Sequence, residues 1–352
     1  MLRLPEFRFL RPKTLAEAAA VLAGEESVRV VAGGTDLWPN MKRRHQKAQT
    51  VVSLMRLPEL RGIHADCAGG PLRLGATAIL SDIEADPRVR ERWPALATAV
   101  ASISSPPLRN MGTIGGNVCV DTRCTYYNQT EDWRRSIDYC MKAEGQICWV
   151  ATSSPTCLAH SASDSAPMLC ALGAGVRLVS QDGERVIPFE ELYQDDGIHY
   201  LTKRPDEIVT DLIVPGTSDS ARCRSAFWKL RRRGSIDFAV LSAAVALWTD
   251  PAGLVTQARI YLGAVGSQPV SATESAQFLV GKPLTSEVIA EAARLARKPA
   301  YPMDNTDFQP QWRGTMVVKY TEAALRDAAG LPVERLAPKH LPVLTERFDE
   351  LV

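Results

Sequence analysis

The sequence predicts an α+β protein built from two domains. The chain has 352 residues, and its 45% hydrophobic and 23% charged content is that of an ordinary globular protein of about two domains. β-branched runs and segments with helical spacing both recur along its length. The segment 215–225 has the composition of a linker, and the order of elements changes beyond it. We therefore place a domain boundary near residue 216.

Charge and cysteine content narrow the class of protein. The formal net charge of +1 gives no indication of nucleic acid or of a membrane surface as a partner. No run of about 18 apolar residues predicts a transmembrane helix, and residues 1–22 lack the apolar core and cleavage site of a signal peptide. We expect a cytoplasmic protein, in which cysteines stay reduced and serve packing, catalysis or metal binding.

The first part of the chain alternates between the two kinds of element. Residues 28–37 are a β-branched run that ends in a Gly-Gly-Thr-Asp turn, and residues 72–86 are typical of a strand, a turn and a helix with Ser81 as its N-cap. Residues 109–118 form a second glycine-rich turn that is expected to lead into a strand. Helices are further predicted at 13–24 and 94–103, a strand at 50–57, a helix followed by a strand at 163–180, and a strand closed by Pro215 at 208–215.

Beyond the linker the pattern is different. Strands are predicted at 226–232 and 256–263, and helices at 236–248, 270–280, 284–298 and 313–330. A proline-containing tail follows from residue 331.

Two glycine turns are the first candidates for a binding site. The first glycine turn is "AGGTDL" (32–37), and the second is "GTIGGN" (112–117). Paired glycines let a backbone turn with positive φ and present successive N–H groups, which suits pyrophosphate oxygens. The alternative is that both are tight turns linking strands. No G-x-G-x-x-G sequence opens a helix after a strand, so a Rossmann dinucleotide site is not indicated.

The second candidate is the thiol segment, residues 119–157, which holds five of the eight cysteines and shows poor apolar periodicity. Cys124, Cys140, Cys148 and Cys157 are separated by fifteen, seven and eight residues, whereas Cys119 adjoins the second glycine turn and is expected to pack. Four thiolates suit an iron–sulfur cluster, although zinc and plain packing both remain open from spacing alone.

Five motifs together carry a family resemblance. In order they are "AGGTDL", "RNMGTIGGN", "SDSAPMLCALGA", "FWKLRRRGSIDFAVLSAAVAL" and "PMDNTDFQPQWRGTMVVKYTEAAL". The chain resembles, over about residues 1–328, the FAD-binding medium subunits of the molybdenum hydroxylase (xanthine dehydrogenase) family. The resemblance implies a PCMH or vanillyl-alcohol-oxidase type FAD-binding domain of two subdomains at 1–216. An α+β domain like the C-terminal domain of CO dehydrogenase flavoproteins would follow at 217–328, with a tail at 329–352.

The resemblance also implies the residues that hold FAD. The first glycine turn would cradle the pyrophosphate with Ala32, Gly33, Gly34, Thr35, Asp36 and Leu37. The second would do so with Thr113, Ile114, Gly115, Gly116 and Asn117. Asp164 of "SDSAP" would lie near the adenosine end, and Lys229 of "FWKLRRR" near the flavin ring.

An insertion of about forty residues (119–160) separates the second glycine turn from the "SD" element. It is similar to the insertion of the 4-hydroxybenzoyl-CoA reductase branch, which holds a [4Fe–4S] cluster on four cysteines. The matching positions are Cys124, Cys140, Cys148 and Cys157. That branch implies a dimer of heterotrimers with a molybdopterin-binding large subunit and a [2Fe–2S] small subunit, with ferredoxin as electron donor. Two alternatives are a medium subunit that sends electrons outward to an acceptor, and a zinc-stabilised flavin-binding scaffold.

Overall fold

Three β-sheets and the helices packed on them make up residues 2–65, 69–216 and 222–333, which are the residues that this computed structural model describes. The centre of the predicted linker and the tail beyond residue 333 lie outside the described residues, so the boundary near 216 stays a prediction. None of the helices in the described ranges combines the length and apolar character needed to cross a bilayer.

The first sheet is parallel and has the strand order β1-β3-β2. Helix α1 (Leu15–Gly24) begins at Thr14, whose hydroxyl accepts a hydrogen bond from the Glu17 N–H at 3.2 Å. Its buried alanines pack on β3, and a short helix, α2 (Leu37–Lys42), follows the first glycine turn. The strands are β1 (Arg8–Leu10), β2 (Val28–Val31) and β3 (Thr50–Ser53).

The second sheet is antiparallel and has the order β4-β5-β8-β6-β7. One large apolar core joins this sheet to the helices that cover it. The strands are β4 (Ile63–Ala65), β5 (Leu72–Gly75), β6 (Gly175–Ser180), β7 (Gly183–Pro188) and β8 (Ile208–Val214). The helices are α3 (Leu80–Ala85), α4 (Pro87–Arg92), α5 (Pro94–Ala101), α6 (Pro106–Arg109), α7 (Ile114–Val118), α8 (Glu131–Ser136) and α9 (Ser165–Leu172), with 3₁₀ turns at Pro58–Leu60 and Phe189–Leu192.

The third sheet is antiparallel, in the order β12-β11-β10-β9. One of its faces has an apolar core of its own, whereas Phe227, Ala244, Ala246 and Tyr261 on the other face belong to the large core of the second sheet. Three helices cover one face, and Arg313 of the last helix lies fully buried beneath them. The strands are β9 (Arg222–Leu230), β10 (Leu241–Thr249), β11 (Val255–Gly263) and β12 (Val270–Ser271). The helices are α10 (Thr273–Leu279), α11 (Ser286–Ala296) and α12 (Pro310–Ala329).

Three local expectations were wrong. The helix expected at 236–248 is strand β10, which pairs with β9 on one side and β11 on the other. The second glycine turn leads into helix α7 instead of a strand, because Thr113 caps that helix by accepting from the Gly116 N–H at 3.1 Å. Ser81 lies inside α3, whose N-cap position is Ile79.

Candidate functional site

A cleft of about 400 Å³ opens where the two glycine turns approach each other. The first glycine turn lines it along its whole length, and the second contributes Gly112, Thr113, Gly116 and Asn117. Residues 236–238, just before β10, close the side that faces the third sheet. The volume of this cleft lies within the range of known cofactor pockets. The fold brings most of the predicted FAD residues to this one cleft.

The first glycine turn offers unused donors. The N–H groups of residues 33–36 have no hydrogen-bond acceptor within the described part of the chain. Gly34 adopts a φ of +73°, which glycine tolerates without strain. A Cβ on Gly33 would overlap the carbonyl oxygen of Met111, so the two turns can meet only if this position lacks a side chain. Such a row of free N–H groups beside a cleft suits an anion.

The second glycine turn has a supporting role instead. The Ile114 N–H donates to the Ala78 carbonyl at 3.0 Å and the Gly115 N–H to the Ala76 carbonyl at 2.9 Å. Both residues are buried and are absent from the lining of the cleft. Neither Ile114 nor Gly115 therefore has a free backbone N–H group for the predicted contact with pyrophosphate. Asn117 does line the cleft, and its Oδ1 accepts a hydrogen bond from the Ser165 hydroxyl at 2.6 Å.

Asp164 and Lys229 form a buried ion pair at the cleft. Lys229 Nζ lies 2.6 Å from Asp164 Oδ2 and also donates to the Ser102 carbonyl at 3.0 Å. The side chains are 3% and 4% exposed, and burial raises the pKa of Asp164 and lowers that of Lys229. Asp164 lines the cleft, and its Oδ1 has no partner among the described residues. The residue predicted for the adenosine end of FAD and the one predicted for the flavin ring therefore touch each other, and the part of FAD that each serves stays a prediction.

Sequence reasoning missed three further residues that line the cleft. Arg29 reaches it from β2, and Tyr200 and Lys203 reach it from the loop before β8. The Tyr200 hydroxyl donates to the Cys119 carbonyl at 3.0 Å, and Lys203 Nζ donates to the Glu207 carbonyl at 3.0 Å. No motif surrounds these residues, and only the positive charges of Arg29 and Lys203 could have suggested a site for phosphate.

The four predicted cluster cysteines line a second, small cavity. Cys124, Cys140, Cys148 and Cys157 are each 4–6% exposed, and Tyr127, Trp149 and Lys142 are among the residues around them. Burial raises the pKa of the Cys124 thiol to about 12 and that of Cys157 to about 11. Within the described ranges, no group of three or more His, Cys, Asp or Glu side chains is arranged to hold a metal ion.

Two neighbours of the thiol cavity stay outside it. Cys119 is half-buried and lines the cleft instead. His160 is buried, its Nδ1 lies 3.0 Å from the Ser161 carbonyl oxygen, and burial lowers its pKa to about 4. The cavity is therefore lined by the four cysteines whose spacing suggested a metal site, and their role as ligands stays a prediction.

Arg123 anchors the thiol segment to the first glycine turn. Its guanidinium pairs with Asp36, donates to Asn40 Oδ1 at 3.2 Å, and lies 4.6 Å from the ring centroid of Phe238. Burial raises the pKa of Asp36 even though this arginine opposes the shift. The cavity and the cleft are thus neighbouring parts of one structure.

Comparison with known proteins gives two family matches. Residues 5–217 match the model of the FAD binding domain in molybdopterin dehydrogenase, and residues 225–328 match the CO dehydrogenase flavoprotein C-terminal domain. These matches confirm the predicted fold class and FAD as the cofactor of the N-terminal part.

Individual proteins agree with that result. The FAD-subunit of nicotinate dehydrogenase from Eubacterium barkeri is 29% identical over 303 residues, which is 85% of this chain and 88% of the relative. The aldehyde oxidoreductase FAD-binding subunit of Escherichia coli is 30% identical over 272 residues, with 75% and 82% covered. A solved structure of carbon monoxide dehydrogenase from Hydrogenophaga pseudoflava matches with a TM-score of 0.77 at 25% identity, covering 93% of this chain and 99% of that one.

Proposed function

The chain belongs to the FAD-binding medium subunits of the molybdenum hydroxylase family, and from that premise we propose that it is the electron-transfer subunit of a 4-hydroxybenzoyl-CoA reductase. It would hold FAD in the cleft and one [4Fe–4S] cluster on the thiol segment. The observation that carries this proposal is the convergence of four buried thiols, from an insertion anchored on the first glycine turn, around a single cavity.

The cleft has the donor groups that FAD requires. The free N–H groups of residues 33–36 are suited to the pyrophosphate oxygens, and Arg29 and Lys203 add positive charge to the same cleft. The free Oδ1 of Asp164 is a hydrogen-bond acceptor for a ribose hydroxyl or a ring N–H. Lys229 would act through Asp164 by holding that carboxylate in place.

The four thiols that line one cavity are a donor set that suits an iron–sulfur cluster. A zinc ion is the alternative, and it would need its thiolates within one tetrahedral shell at bonds of about 2.3 Å. In a [4Fe–4S] cluster each of four cysteines binds its own iron, so the thiolates surround a larger body. The high thiol pKa values mean that binding would release protons.

In such a complex this chain holds and shields the electron carriers. When bound, FAD would supply two-electron storage and the cluster a one-electron relay. Tyr127 and Trp149 line the thiol cavity and would limit the access of water to it. We propose partner subunits that carry molybdopterin and [2Fe–2S] centres, in a dimer of heterotrimers that works in the cytoplasm with ferredoxin as donor. At the molybdopterin-binding subunit, 4-hydroxybenzoyl-CoA would take up two electrons and two protons, lose its phenolic oxygen as water, and become benzoyl-CoA.

Metal and flavin analysis of the anaerobically purified protein tests the cofactor proposal. We expect one FAD with about four irons and four sulfides per chain. Cys140→Ser should abolish the broad visible absorption of the cluster while the flavin bands remain. Cys119→Ser is the matched control, because Cys119 lies outside the cavity. This variant should retain the iron and sulfide of the cluster. Full iron and sulfide content in Cys140→Ser would contradict the ligand assignment, and zinc without iron would favour the scaffold alternative.

The names of the relatives favour a second candidate function, in which electrons flow from a substrate of the complex outward to an acceptor. The matched proteins include dehydrogenases of nicotinate and of carbon monoxide. The assembled complex distinguishes the two candidates. Consumption of 4-hydroxybenzoyl-CoA with reduced ferredoxin supports the proposed reductase. Inactivity on every aryl-CoA thioester, with reduction of an added acceptor by another substrate, would support the second candidate.

A further inference from the structure

Lys142 occupies the wall between the thiol cavity and the cleft. It lies in the turn that follows Cys140 and, together with Tyr127, lines the thiol cavity. Asp121 and Tyr200, which both contact the Lys142 ammonium group, line the cleft. One side chain therefore touches the walls of both sites.

The ammonium group of Lys142 is fully engaged. Its Nζ lies 2.7 Å from Asp121 Oδ1, 2.9 Å from Thr122 Oγ1 and 2.6 Å from the Gly197 carbonyl oxygen. These three acceptors match the three protons of an ammonium group. The Lys142 and Asp121 side chains are only 6% and 8% exposed. The charges are thus held in place and shielded from solvent.

Two aromatic rings and one backbone link strengthen this arrangement. The ring centroids of Tyr127 and Tyr200 lie 5.0 Å and 5.7 Å from Lys142 Nζ, within the range of cation–π attraction. Gly197, whose carbonyl accepts from Lys142, donates its own N–H to the Cys157 carbonyl at 2.8 Å. The ammonium group is therefore connected, through Gly197, to the backbone of Cys157, one of the four thiol residues.

A fixed ion pair in this position acts on electron uptake by simple electrostatics. Each arriving electron adds negative charge, which a buried cation nearby favours and a buried carboxylate opposes. Charges screened from water act more strongly than surface charges do. Lys142 contacts the cavity side of the wall and Asp121 the cleft side, so their effects on the two centres need not cancel.

We propose that the Lys142–Asp121 pair sets the reduction potentials of the two centres on either side of it, with Lys142 favouring their reduction and Asp121 opposing it. This inference rests on the proposed function, because it needs redox centres in the cleft and the cavity. Neither residue is a predicted ligand of either centre. A charge role and a packing role make different predictions for paired substitutions.

Redox titration of the purified protein, followed by visible absorption for flavin and EPR for the cluster, tests the pair. Lys142→Met leaves the Asp121 charge unbalanced and should lower the midpoint potentials. Asp121→Asn leaves the Lys142 charge unbalanced and should raise them. For at least one centre we expect a tenfold or larger change in the reduction equilibrium, which is 59 mV for a one-electron couple. The double variant carries no net charge change, so each of its midpoint potentials should lie between those of the two single variants.

Lys47→Met is the matched control. Lys47 pairs with Glu144 of the same thiol segment, but its side chain is 75% exposed, so its loss should leave both potentials unchanged. Shifts of the same sign in the two single variants, or no shift in either, would overturn the proposal in favour of packing. If a single variant fails to fold, the other single variant compared with the double variant still decides the sign. A parent protein with flavin and no iron would contradict the cluster proposal itself, and the flavin potentials alone would then decide the role of the pair.

Discussion

Gly33 shows how the absence of one side chain shapes the cleft. A Cβ at this position would overlap the Met111 carbonyl oxygen, which is backbone and cannot rotate away. We expect Gly33→Ala to push the two glycine turns apart, to lower the free energy of unfolding by about 1–3 kcal/mol, and to reduce the bound flavin. Flavin content after gel filtration and a thermal melt measure both effects.

Gly24→Ala is the control for that substitution. Gly24 ends helix α1, and a Cβ there would meet nothing within 4 Å. Alanine should therefore be neutral or stabilise the protein by up to about 1 kcal/mol, with flavin content unchanged. Equal flavin content in Gly33→Ala and Gly24→Ala would show that close contact between the turns is not required for binding.

The Asp164–Lys229 pair gives a prediction that depends on pH. Lys229→Met leaves a buried carboxylate without its cation, which costs about 3–5 kcal/mol of stability at neutral pH. Burial already raises the pKa of Asp164, and loss of Lys229 raises it further. A raised folded-state pKa means that stability is gained as pH falls through that pKa, because the folded protein takes up the proton first.

The melting temperature of Lys229→Met should therefore approach that of the parent as pH is lowered from neutrality toward the ordinary Asp value of 3.8. The double variant Lys229→Met/Asp164→Asn has neither charge of this pair, so it should not show the gain in stability that the single variant shows as pH falls. A constant deficit in the single variant across this range would contradict the electrostatic account.

At the level of elements, Arg313 joins helix α12 to the third sheet and to the thiol segment. It is 0% exposed and donates to the carbonyl groups of Val240, Ala264 and Met303, as well as to Asn305 Oδ1 at 3.0 Å. Burial lowers its pKa only to about 10, so it stays protonated at neutral pH. Asn305 in turn donates to the carbonyl of Leu158, next to the last cluster cysteine.

We expect Arg313→Ala to lower the free energy of unfolding by about 3 kcal/mol or more, since several buried carbonyl groups lose their donor. Urea denaturation measures this loss. Arg326→Ala on the same helix removes only a partly exposed pair with Glu322 and should cost about 0.3–0.5 kcal/mol. Similar urea midpoints for the two variants would show that buried Arg313 is not a structural link.

Strand β10 shows where element prediction from sequence fails. Its sequence, LSAAVALWT, is rich in alanine and leucine, which have high helix propensity. Its first seven residues are all buried, because both faces of the strand are covered. Ala244 and Ala246 pack into the core of the second sheet, and Leu241, Ala243, Val245 and Leu247 pack into the core under the C-terminal helices. A fully buried strand needs no alternation of polar and apolar residues, so periodicity could not distinguish it from a buried helix.

For the whole molecule, the parts of the site that depend on local sequence could be predicted. Each glycine turn is a run of consecutive residues, and the spacing of the cysteines can be counted within one segment. The structure brings the four cysteines to one cavity and the first glycine turn to the cleft. The pairs that join these two sites could not be predicted. Arg123 meets Asp36 across 87 residues and Lys142 meets Asp121 across 21, and neither Arg123 nor Lys142 lies in one of the motifs.

The thiol segment also leads to a prediction about the whole protein. Helix α8 is its one regular element between Thr122 and Ala159 among the described residues, and its apolar cluster consists largely of the thiols and the aromatic side chains around them. A segment with so small a core needs a bound group to stay ordered, as metal sites do in other small folds. We therefore expect removal of iron to loosen this segment while the three sheets remain folded.

Limited digestion with trypsin measures this loosening. The holoprotein should resist cleavage in the thiol segment, whereas protein stripped of iron with a chelator under reducing conditions, or carrying Cys140→Ser, should be cut first at exposed Arg135. Cleavage at Arg294, on the separately packed helix α11, is the internal control and should proceed at the same rate in all samples. Identical cleavage at Arg135 with and without iron would mean that the thiol segment is ordered by its own packing and by its contacts with the first glycine turn. The structural argument for a cluster in this segment would then fail.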